Sequence, residues 1–304
     1  MGISKIDNWF EPTDLLRVNP DYTKYTHMLH NEHGFLSGII RKQRPKKVLE
    51  VGVAEGGTTA LIIESLEMAE CRCEMYSIDL AKSYNGSKVG FMKDIVKNIQ
   101  FVDHTLFTET FLKNKIEDIG GEIDLVILDT THNIPGEILE FLTCLPFLSK
   151  DAIVVLHDVN VCNYMATDSR KVIPSLRKIC TKVLFTTVSG EKYFNYDNLE
   201  NIAAFKISDS TMENIDDVFF SLSHLWYFGF SEKDLNEYRN LFSKYYSSSS
   251  LKLWDLLIEN QNDYRKIIDE NHKYLRLLEN YNKFILKLKI TFYPFYKLIR
   301  FKHR

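Results

Sequence analysis

One short segment near the start of the chain joins an apolar run to a cluster of small residues. It reads KKVLEVGVAEGGTTALII over 46–63, with Glu50 in the apolar run and glycines at Gly52, Gly56 and Gly57. Glycines let a turn adopt positive φ and let a ligand approach the main chain closely. The spacing is GxxxGG, not the GxGxxG of dinucleotide sites, and the Glu50 carboxylate would repel a pyrophosphate. The segment therefore predicts a site for a ligand with a cationic amino-acid part.

Further acids and histidines follow apolar runs later in the chain. Asp79 ends the run YSID, Asp129 ends IDLVILD with His132 just beyond it, and His157 and Asp158 end AIVVLHD. In open parallel α/β sheets the ligand crevice lies at the carboxyl ends of the strands. We therefore expect these side chains to meet on one edge of a sheet.

The elements that must position these residues alternate along 47–207. Strand-like apolar runs are separated by stretches of helical periodicity, which is typical of a parallel sheet covered by helices. Helices are predicted near 58–68, 87–97, 108–118, 135–146 and 172–180. Strands are predicted at 48–53, 74–79, 99–104, 123–129 and 152–158.

Two further strands, 182–188 and 201–207, follow with only a polar connection between them. Strands so close in sequence predict an antiparallel hairpin at the edge of the sheet. The expected fold is α/β: a Rossmann-like, doubly wound sheet that is mostly parallel, with a helical N-terminal lid and a helical C-terminal extension.

The segment with Glu50 resembles the first motif of the class I S-adenosylmethionine (SAM)-dependent methyltransferases, written ExGxxxG. The resemblance implies that the loop with Gly52, Gly56 and Gly57, and Thr58 at the helix start, holds the methionine half of SAM beside Glu50. The acid that binds the ribose hydroxyls in this family corresponds to Asp79, 29 residues after Glu50. Asp103, or His104 beside it, would lie near the adenine.

The segment 123–160 is similar to a subgroup that includes macrolide and sugar O-methyltransferases, also described as cephalosporin-hydroxylase-like. In metal-dependent members, acids at these strand ends bind magnesium, which implies Asp129, His157 and Asp158 as metal ligands here. Thr131 and His157 stand where the subgroup has acids. Magnesium prefers oxygen ligands, so a histidine in the set argues against it or indicates a softer metal.

Without a metal, the proton of an acceptor hydroxyl needs another base. An imidazole titrates near neutral pH, so His132 or His157 would act as the general base. The expected catalytic residues are His132, His157 and Asp158.

The composition of the chain restricts its possible ligands and cellular location. The chain has 304 residues, 45% of them hydrophobic and 26% charged, with a formal net charge of −3, which gives no overall attraction to nucleic acid. Five scattered cysteines indicate reduced thiols. No signal sequence and no apolar run of membrane-spanning length are apparent. A cytoplasmic protein is expected, with the inner face of the membrane as the alternative location.

The composition changes after the predicted sheet. We expect a lid over 1–45, the SAM-binding domain over 46–207, an aromatic-rich helical segment over 208–250 and a long helix with a basic tail over 251–304. Apolar residues recur every seven positions in the long helix, which fits either a coiled-coil seam between copies of the chain or packing on its own domain. The tail after Glu279 has cations and no acids, so it would either contact an anionic membrane surface or remain solvated.

The most specific functional hypothesis is a SAM-dependent O-methyltransferase that acts on a sugar or another small hydroxyl acceptor in glycan or polysaccharide biosynthesis. A nicotinamide-dependent oxidoreductase on the same fold is the first alternative, since Asp79 would suit the ribose of NAD equally well. A non-catalytic interaction protein that retains the fold is the second.

Overall fold

A computed structural model describes residues 21–160, 180–194, 201–226 and 228–301 of the chain. Its centre is a seven-stranded sheet with the strand order β3-β2-β1-β4-β5-β7-β6. The strands are β1 Lys47–Val51, β2 Cys73–Ile78, β3 Val102–Phe107, β4 Ile123–Leu128, β5 Leu148–His157, β6 Glu191–Phe194 and β7 Ile202–Lys206.

The first five strands pair in parallel, with β1 between β2 and β4. The predicted Rossmann-like α/β sheet is confirmed. Chain order reverses between β1 and β4, and the carboxyl ends of these two strands therefore flank the crevice where ligands bind in such sheets.

The antiparallel edge is also confirmed, but one of its strands was predicted in the wrong place. The segment 182–188 is not a strand: it lies in a helix, Cys180–Thr187, whose buried residues include Cys180, Leu184 and Phe185 at helical spacing. A short run rich in β-branched residues does not distinguish a strand from a buried helix. The hairpin is formed instead by β6 and β7, and β7 pairs antiparallel with β5.

Helices cover the sheet and extend beyond it. Those in the described residues are α1 His30–Gln43, α2 Gly57–Met68, α3 Ile116–Ile119, α4 Gly136–Cys144, α5 Cys180–Thr187, α6 Asp209–Glu213, α7 Ile215–Ser221, α8 Glu232–Tyr245 and α9 Ser248–Phe301. The predicted helices at 58–68 and 135–146, the helical segment after 208 and the long C-terminal helix are confirmed. Of the predicted helix near 172–180, all but Cys180 lies outside the described residues.

Two other predicted helices were wrong. The stretch 87–97 contains one strand of a small ribbon, Ser87–Lys88 paired with Ser83–Tyr84, and a 3₁₀ turn, Phe91–Ile95. Gly90, at φ 72°, separates the two and prevents a continuous helix. The stretch 108–118 holds only a 3₁₀ turn at Leu112–Asn114 and the start of α3.

Strand β3 ends three residues later than predicted. It runs to Phe107, so Asp103 is its second residue and pairs with Glu74 near the start of β2. Asp103 is exposed on the sheet far from the carboxyl end of the strand. The residues that follow this end are Thr108 to Thr110.

Helix α1 is packed into the domain core. Phe35, Leu36, Ile39 and Ile40 are fully buried, in one hydrophobic cluster with residues of α2 and the sheet. The segment before α1 also approaches α2, because a Cβ on Gly57 would lie 2.5 Å from the Tyr25 carbonyl oxygen. The described part of the predicted lid therefore helps to form the domain core.

By its internal contacts the chain divides into two units, one ending at Trp254 and one spanning Asp255–Arg304. Helix α9 begins in the first unit, and it forms the described part of the second. None of the described helices is both long and apolar enough to cross a membrane.

A buried lysine, Lys113, joins the turn after β3 to α8. The Lys113 side chain is 1% exposed, and its Nζ lies 3.1 Å from Asp234 Oδ1 and also contacts Glu237. The same ammonium lies over the rings of Phe111 and Tyr238, 5.1 and 5.4 Å from their centroids. Lys113 therefore fixes both the turn after β3 and the face of α8.

We predict that Lys113→Ala lowers the free energy of unfolding by about 2 kcal/mol, because it removes a buried side chain and its contacts with the rings of Phe111 and Tyr238. Urea unfolding followed by tryptophan fluorescence measures this, since Trp226 and Trp254 pack in the aromatic cluster that contains Tyr238. Lys24→Ala is the control: it removes an exposed pair with Asp21 and should leave the free energy of unfolding nearly unchanged. Equal losses in the two variants would contradict the role assigned to Lys113.

Candidate functional site

A cavity of about 660 Å³ opens at the carboxyl edge of the parallel strands. It is lined by the loop after β1, the ends of β2, β4 and β5, the turn after β3 and residues of α4 and α8. Such a volume suits a nucleotide-sized ligand. The cavity is therefore the candidate functional site.

The glycine loop forms one wall of the cavity. Gly52 has φ 92°, and a Cβ placed on it would lie 1.9 Å from the Asp129 carbonyl oxygen at the end of β4. Gly56 has φ 89° and immediately precedes α2. Only glycine fits at position 52, because the backbone at the end of β4 occupies the space where a side chain would be.

Asp79 holds this loop in place. Its Oδ2 accepts hydrogen bonds of 2.9 Å from both the Val53 and Ala54 amides, and its Oδ1 accepts one of 2.7 Å from the Ala81 amide. A carboxylate has about four acceptor positions, so one position remains for a ligand hydroxyl. Asp79 lines the cavity where the sequence predicted it.

Glu50 lies beneath the loop and does not line the cavity. It is fully buried, and its Oε2 accepts hydrogen bonds from the Thr59 and Ser77 hydroxyls at 2.8 and 2.6 Å. Burial raises the pKa of Glu50 to about 7, although the two hydroxyls lower it. Its Oε1 has no hydrogen-bond partner in the described part of the chain.

A carboxylate–imidazole–carboxylate contact lies between β4, β5 and α1. His157 is 1% exposed; its Nδ1 lies 3.1 Å from Asp129 Oδ1, and its Nε2 lies 3.2 Å from Glu32 Oε2. Burial alone would lower the pKa of His157, but the contacts with Asp129, Glu32 and Asp158 raise it well above its ordinary value. Asp129 lines the cavity and His157 lies behind it.

His132 and Asp158 make a second such contact nearer the cavity. His132 Nε2 lies 3.0 Å from Asp158 Oδ2, and Nδ1 lies 3.1 Å from Glu137 Oε1. Burial alone would lower the pKa of His132, but Glu137, Asp129 and Asp158 raise it. His132 and Asp158 have φ 55° and 58°, in the left-handed region, which His and Asp adopt more often than most residues other than glycine.

Glu137 and Glu140 of α4 share the Thr130 hydroxyl, which lies 3.1 Å from Glu137 Oε1 and 3.0 Å from Glu140 Oε2. One hydroxyl proton can serve only one of these contacts, so the second needs a protonated carboxyl group. Burial, reinforced by the charge of Glu137, raises the pKa of Glu140 to about 8. Glu140, which lines the cavity, is therefore the protonated partner at neutral pH.

One end of the cavity is aromatic. Phe111, Phe230 and Tyr238 line it with Phe228, and Phe230 contacts both Phe111 and Tyr238, with ring centroids 5.9 and 5.5 Å apart. Thr110, which precedes Phe111, donates its amide to the Asp79 carbonyl oxygen at 3.4 Å. The aromatic end thus begins beside Asp79.

The predicted site residues fall into two groups. Gly52, Thr58, Asp79, Asp129, His132 and Asp158 line the cavity. His157 joins the cluster from behind, and Glu50 lies under the loop. Gly56 and Gly57 belong to the loop but are not among the described lining residues, and Asp103 is exposed outside the cavity.

Sequence reasoning missed Glu32, Glu137 and the aromatic end. Glu32 lies 125 positions from His157 in sequence, so no local pattern links them. Glu137 and Glu140 lie on successive turns of α4, the helix that follows His132. The sequence alone could therefore have indicated them. The aromatic end combines residues after β3 with residues near α8, which only the tertiary fold brings together.

The donor atoms of this cluster fit a divalent cation. Ligand atoms of Asp129, His132 and His157 all lie within 4.8 Å of one another. Of the three predicted ligands, Asp129, His157 and Asp158, the first two belong to this group, and His132 joins them. Two imidazole nitrogens with carboxylate oxygens suit a transition metal better than magnesium.

Comparison with known families finds a similarity over the part of the chain that contains this site. Residues 49–159 match the family model Methyltransf_24, described as a methyltransferase domain. Over these residues the chain is similar to a methyltransferase domain. The match extends from β1 to the residue after Asp158, so it contains the glycine loop, Asp79 and the strand-end cluster except Glu32.

Solved methyltransferases resemble the chain at low sequence identity. The O-methyltransferase TomG from Streptomyces achromogenes, involved in tomaymycin synthesis and solved with SAM, is 15% identical, with 65% of this chain and 91% of that chain covered and a TM-score of 0.44. The methyltransferase PaMTH1 from Podospora anserina, solved with S-adenosylhomocysteine (SAH), is 16% identical, with coverages of 66% and 89% and a TM-score of 0.45. An O-methyltransferase from Bacillus cereus, in complex with SAH, is 13% identical, with coverages of 67% and 93% and a TM-score of 0.41. No curated relative matches the chain.

The buried Glu50 predicts a specific pH dependence of stability. Its folded-state pKa of about 7 lies above the ordinary value, so its contribution is fully present at low pH and is lost as pH rises toward 7. Glu50→Gln should therefore stabilise the protein relative to wild type by about 3 kcal/mol at pH 8, and by little at pH 4.5.

Urea unfolding of the two proteins across this pH range measures the difference. Since all other titrating groups are common to both, their contributions cancel in the comparison. A difference in unfolding free energy that does not vary with pH would show that Glu50 does not titrate in this way.

Proposed function

We propose that the protein is a SAM-dependent O-methyltransferase that acts on a sugar or another small hydroxyl acceptor. The observation that carries the proposal is the cavity, where the glycine loop and the Asp129–His132–Asp158 group, all in the region similar to a methyltransferase domain, line one space. A methyl donor bound at the loop would have its reactive carbon beside groups able to accept a proton. O-methylation and the sugar class rest on the motifs of the segment 123–160.

The cavity offers a distinct environment for each part of SAM. The methionine part would lie along the glycine loop and the start of α2, where Thr58 lines the cavity. The ribose would use the remaining acceptor position of Asp79. The adenine would lie near Phe111, because flat aromatic side chains and the neutral Glu140 suit an uncharged ring with an exocyclic amino group.

Methyl transfer makes few demands on the protein beyond alignment and removal of a proton. The acceptor oxygen attacks the methyl carbon, the carbon–sulfur bond breaks, and the hydroxyl proton leaves to a base. In its neutral form His132, which lines the cavity and contacts Asp158, would take that proton. His157 does not line the cavity, so its proposed role is to orient Asp129. A metal held by the cluster would instead lower the pKa of the bound hydroxyl.

The charges around the cavity restrict the acceptor. None of the described lining residues is lysine or arginine, while the acids Asp79, Asp129 and Asp158 are all present. An acceptor that carries phosphate or carboxylate groups would find no lysine or arginine in this lining and would be repelled by its carboxylates. A neutral hydroxyl acceptor is therefore favoured, and the surrounding carboxylates suit the cationic sulfonium of the donor.

The remaining proposals concern location and assembly. The basic segment after Glu279 supports contact with an anionic cytoplasmic membrane surface. The seven-residue apolar repeat of α9 supports assembly through that helix. A nicotinamide-dependent oxidoreductase is less favoured, because the glycine spacing differs from the dinucleotide pattern.

Calorimetric titration with SAM and with NAD tests the proposed cofactor. SAM should bind with micromolar Kd and NAD should not, and Asp79→Ala should weaken SAM binding at least tenfold because it removes the ribose contact and frees the loop. Asp118→Ala, an exposed change outside the cavity, should leave the affinity unchanged. Binding of NAD without binding of SAM would overturn the proposed function.

Transfer of a labelled methyl group from SAM to neutral oligosaccharides and other small alcohols tests the reaction. Wild type should label a hydroxyl, and Asp158→Asn should lower the rate by about 10² to 10⁴, the usual contribution of acid–base assistance. The label should remain on oxygen after mild acid treatment. Equal rates in wild type and Asp158→Asn would remove the strand-end cluster from the mechanism.

A further inference from the structure

Two segments that are far apart in sequence meet at the mouth of the cavity. The Tyr84 hydroxyl lies 3.2 Å from His27 Nε2, and the two rings are in edge-to-face contact with their centroids 6.0 Å apart. Both side chains line the cavity, and both are also exposed to solvent. Residues that face the cavity and the solvent at once lie at its rim, so this contact spans part of the opening.

The segment that carries His27, the N-terminal arm (residues 22–28), packs against the second of the paired glycines in the loop. A Cβ on Gly57 would lie 2.5 Å from the Tyr25 carbonyl oxygen. The Thr26 hydroxyl lies 2.9 Å from the hydroxyl of Thr58, the next residue of α2. The backbone of this arm therefore contacts the start of α2, because position 57 has no side chain.

The segment that carries Tyr84, the ribbon arm (residues 80–90), packs against the first of these glycines. A Cβ on Gly56 would lie 2.7 Å from the Cα of Gly90, at the end of the arm. The Gly90 amide also donates a hydrogen bond of 2.9 Å to the Ala54 carbonyl oxygen. The base of the ribbon arm is therefore attached to the glycine loop.

A tight hairpin determines where the tip of the ribbon arm lies. Ser83–Tyr84 pairs antiparallel with Ser87–Lys88. The two residues between these strands, Asn85 and Gly86, have φ 47° and 83°. Positive φ at both positions is what a type I′ turn requires, and Asn-Gly is a preferred sequence for it. The turn therefore fixes the backbone that carries Tyr84.

The glycine pair thus accommodates both arms. Neither Gly56 nor Gly57 is among the described residues that line the cavity, yet the backbone of one arm lies against each of them. The arms also meet near their bases, because the Tyr25 ring contacts that of Phe91, just after the ribbon arm, with centroids 5.2 Å apart. The loop beside the cavity therefore anchors two segments whose far ends meet across its mouth.

We propose that the two arms form a clasp, closed by the His27–Tyr84 contact, which must open for SAM to enter or leave the cavity. The inference rests on the proposed cofactor: Thr58 and Asp79, assigned to its methionine and ribose parts, hydrogen-bond to the N-terminal arm and the ribbon arm. One exposed hydrogen bond changes an equilibrium constant by about two- to tenfold. The clasp therefore opens readily, and the strength of this contact sets the rate of ligand exchange.

Association and dissociation of tritiated SAM with the full chain test the clasp. Tyr84→Phe keeps the ring and removes the hydroxyl, so the open form becomes more populated in both the free and the bound protein. Both rate constants should rise about two- to tenfold, while Kd changes less than about twofold. The control is Tyr76→Phe, which removes a hydroxyl bound to Glu74 outside the described cavity lining and should exchange SAM like wild type.

A second variant tests whether the two side chains act as one contact. His27→Ala should change the two rate constants as Tyr84→Phe does. The double variant should add nothing further, since both changes remove the same interaction. Rate changes that multiply in the double variant would show that the two residues act independently, which would contradict the clasp.

Hydrogen exchange of the free protein, followed by mass spectrometry, tests the clasp without a ligand. Tyr84→Phe should raise the exchange of amides in 22–28 and 80–90 by about two- to tenfold and leave the amides of β4 unchanged. In wild type, SAM should slow exchange in both arms.

Two results would overturn the proposal. Rate constants and exchange equal to wild type in Tyr84→Phe would show that the contact does not control access. Faster release with unchanged association, and hence a weaker Kd, would make Tyr84 a ligand contact and not part of a clasp. If wild type binds no SAM, the proposed cofactor is wrong, and hydrogen exchange of the free protein then decides whether the arms open together.

Discussion

The burial of charge at the carboxyl edge of the sheet is the constraint on which the site depends. Six titratable side chains meet there, and each imidazole lies 3.0 to 3.2 Å from a carboxylate on both sides. An unpaired buried charge would cost several kcal/mol, so each element that supplies one of these groups is fixed relative to the others. Through the cluster of Glu32, Asp129, His132, Glu137, His157 and Asp158, helix α1 and the ends of β4 and β5 are held as one unit.

On the side of the cavity formed by the glycine loop, the buried carboxylates are stabilised by hydrogen bonds in place of ion pairs. Asp79 satisfies three backbone amides and so shapes the glycine loop, while the hydroxyls of Thr59 and Ser77 accommodate Glu50 beneath it. Glu50 therefore influences a ligand through the position of the loop. This differs from the direct contact with a cationic group that the sequence suggested. In the proposed SAM complex, the negative surroundings of the sulfonium would come instead from the acids that line the cavity.

Much of this organisation could be predicted from the sequence because parallel strands are apolar on both faces and end in polar residues. That pattern located β1, β2, β4 and β5, and hence Asp79, Asp129 and Asp158 at one edge. It failed at 182–188, where a short apolar run is helical, and at β3, where the strand continues to Phe107 and leaves Asp103 outside the cavity. Glu32 and the aromatic end arise from contacts between distant segments, which no local spacing encodes.

The most direct measurement is a crystal structure of the protein with SAH. The account predicts that the thioether sulfur faces the Asp129–His132–Asp158 group, with the ribose at Asp79 and the adenine against Phe111. That position would direct the methyl group of SAM at the acceptor side of the cavity. A complex with the adenine over His132 and the sulfur at the aromatic end would contradict it, because the strand-end cluster could then take no part in methyl transfer.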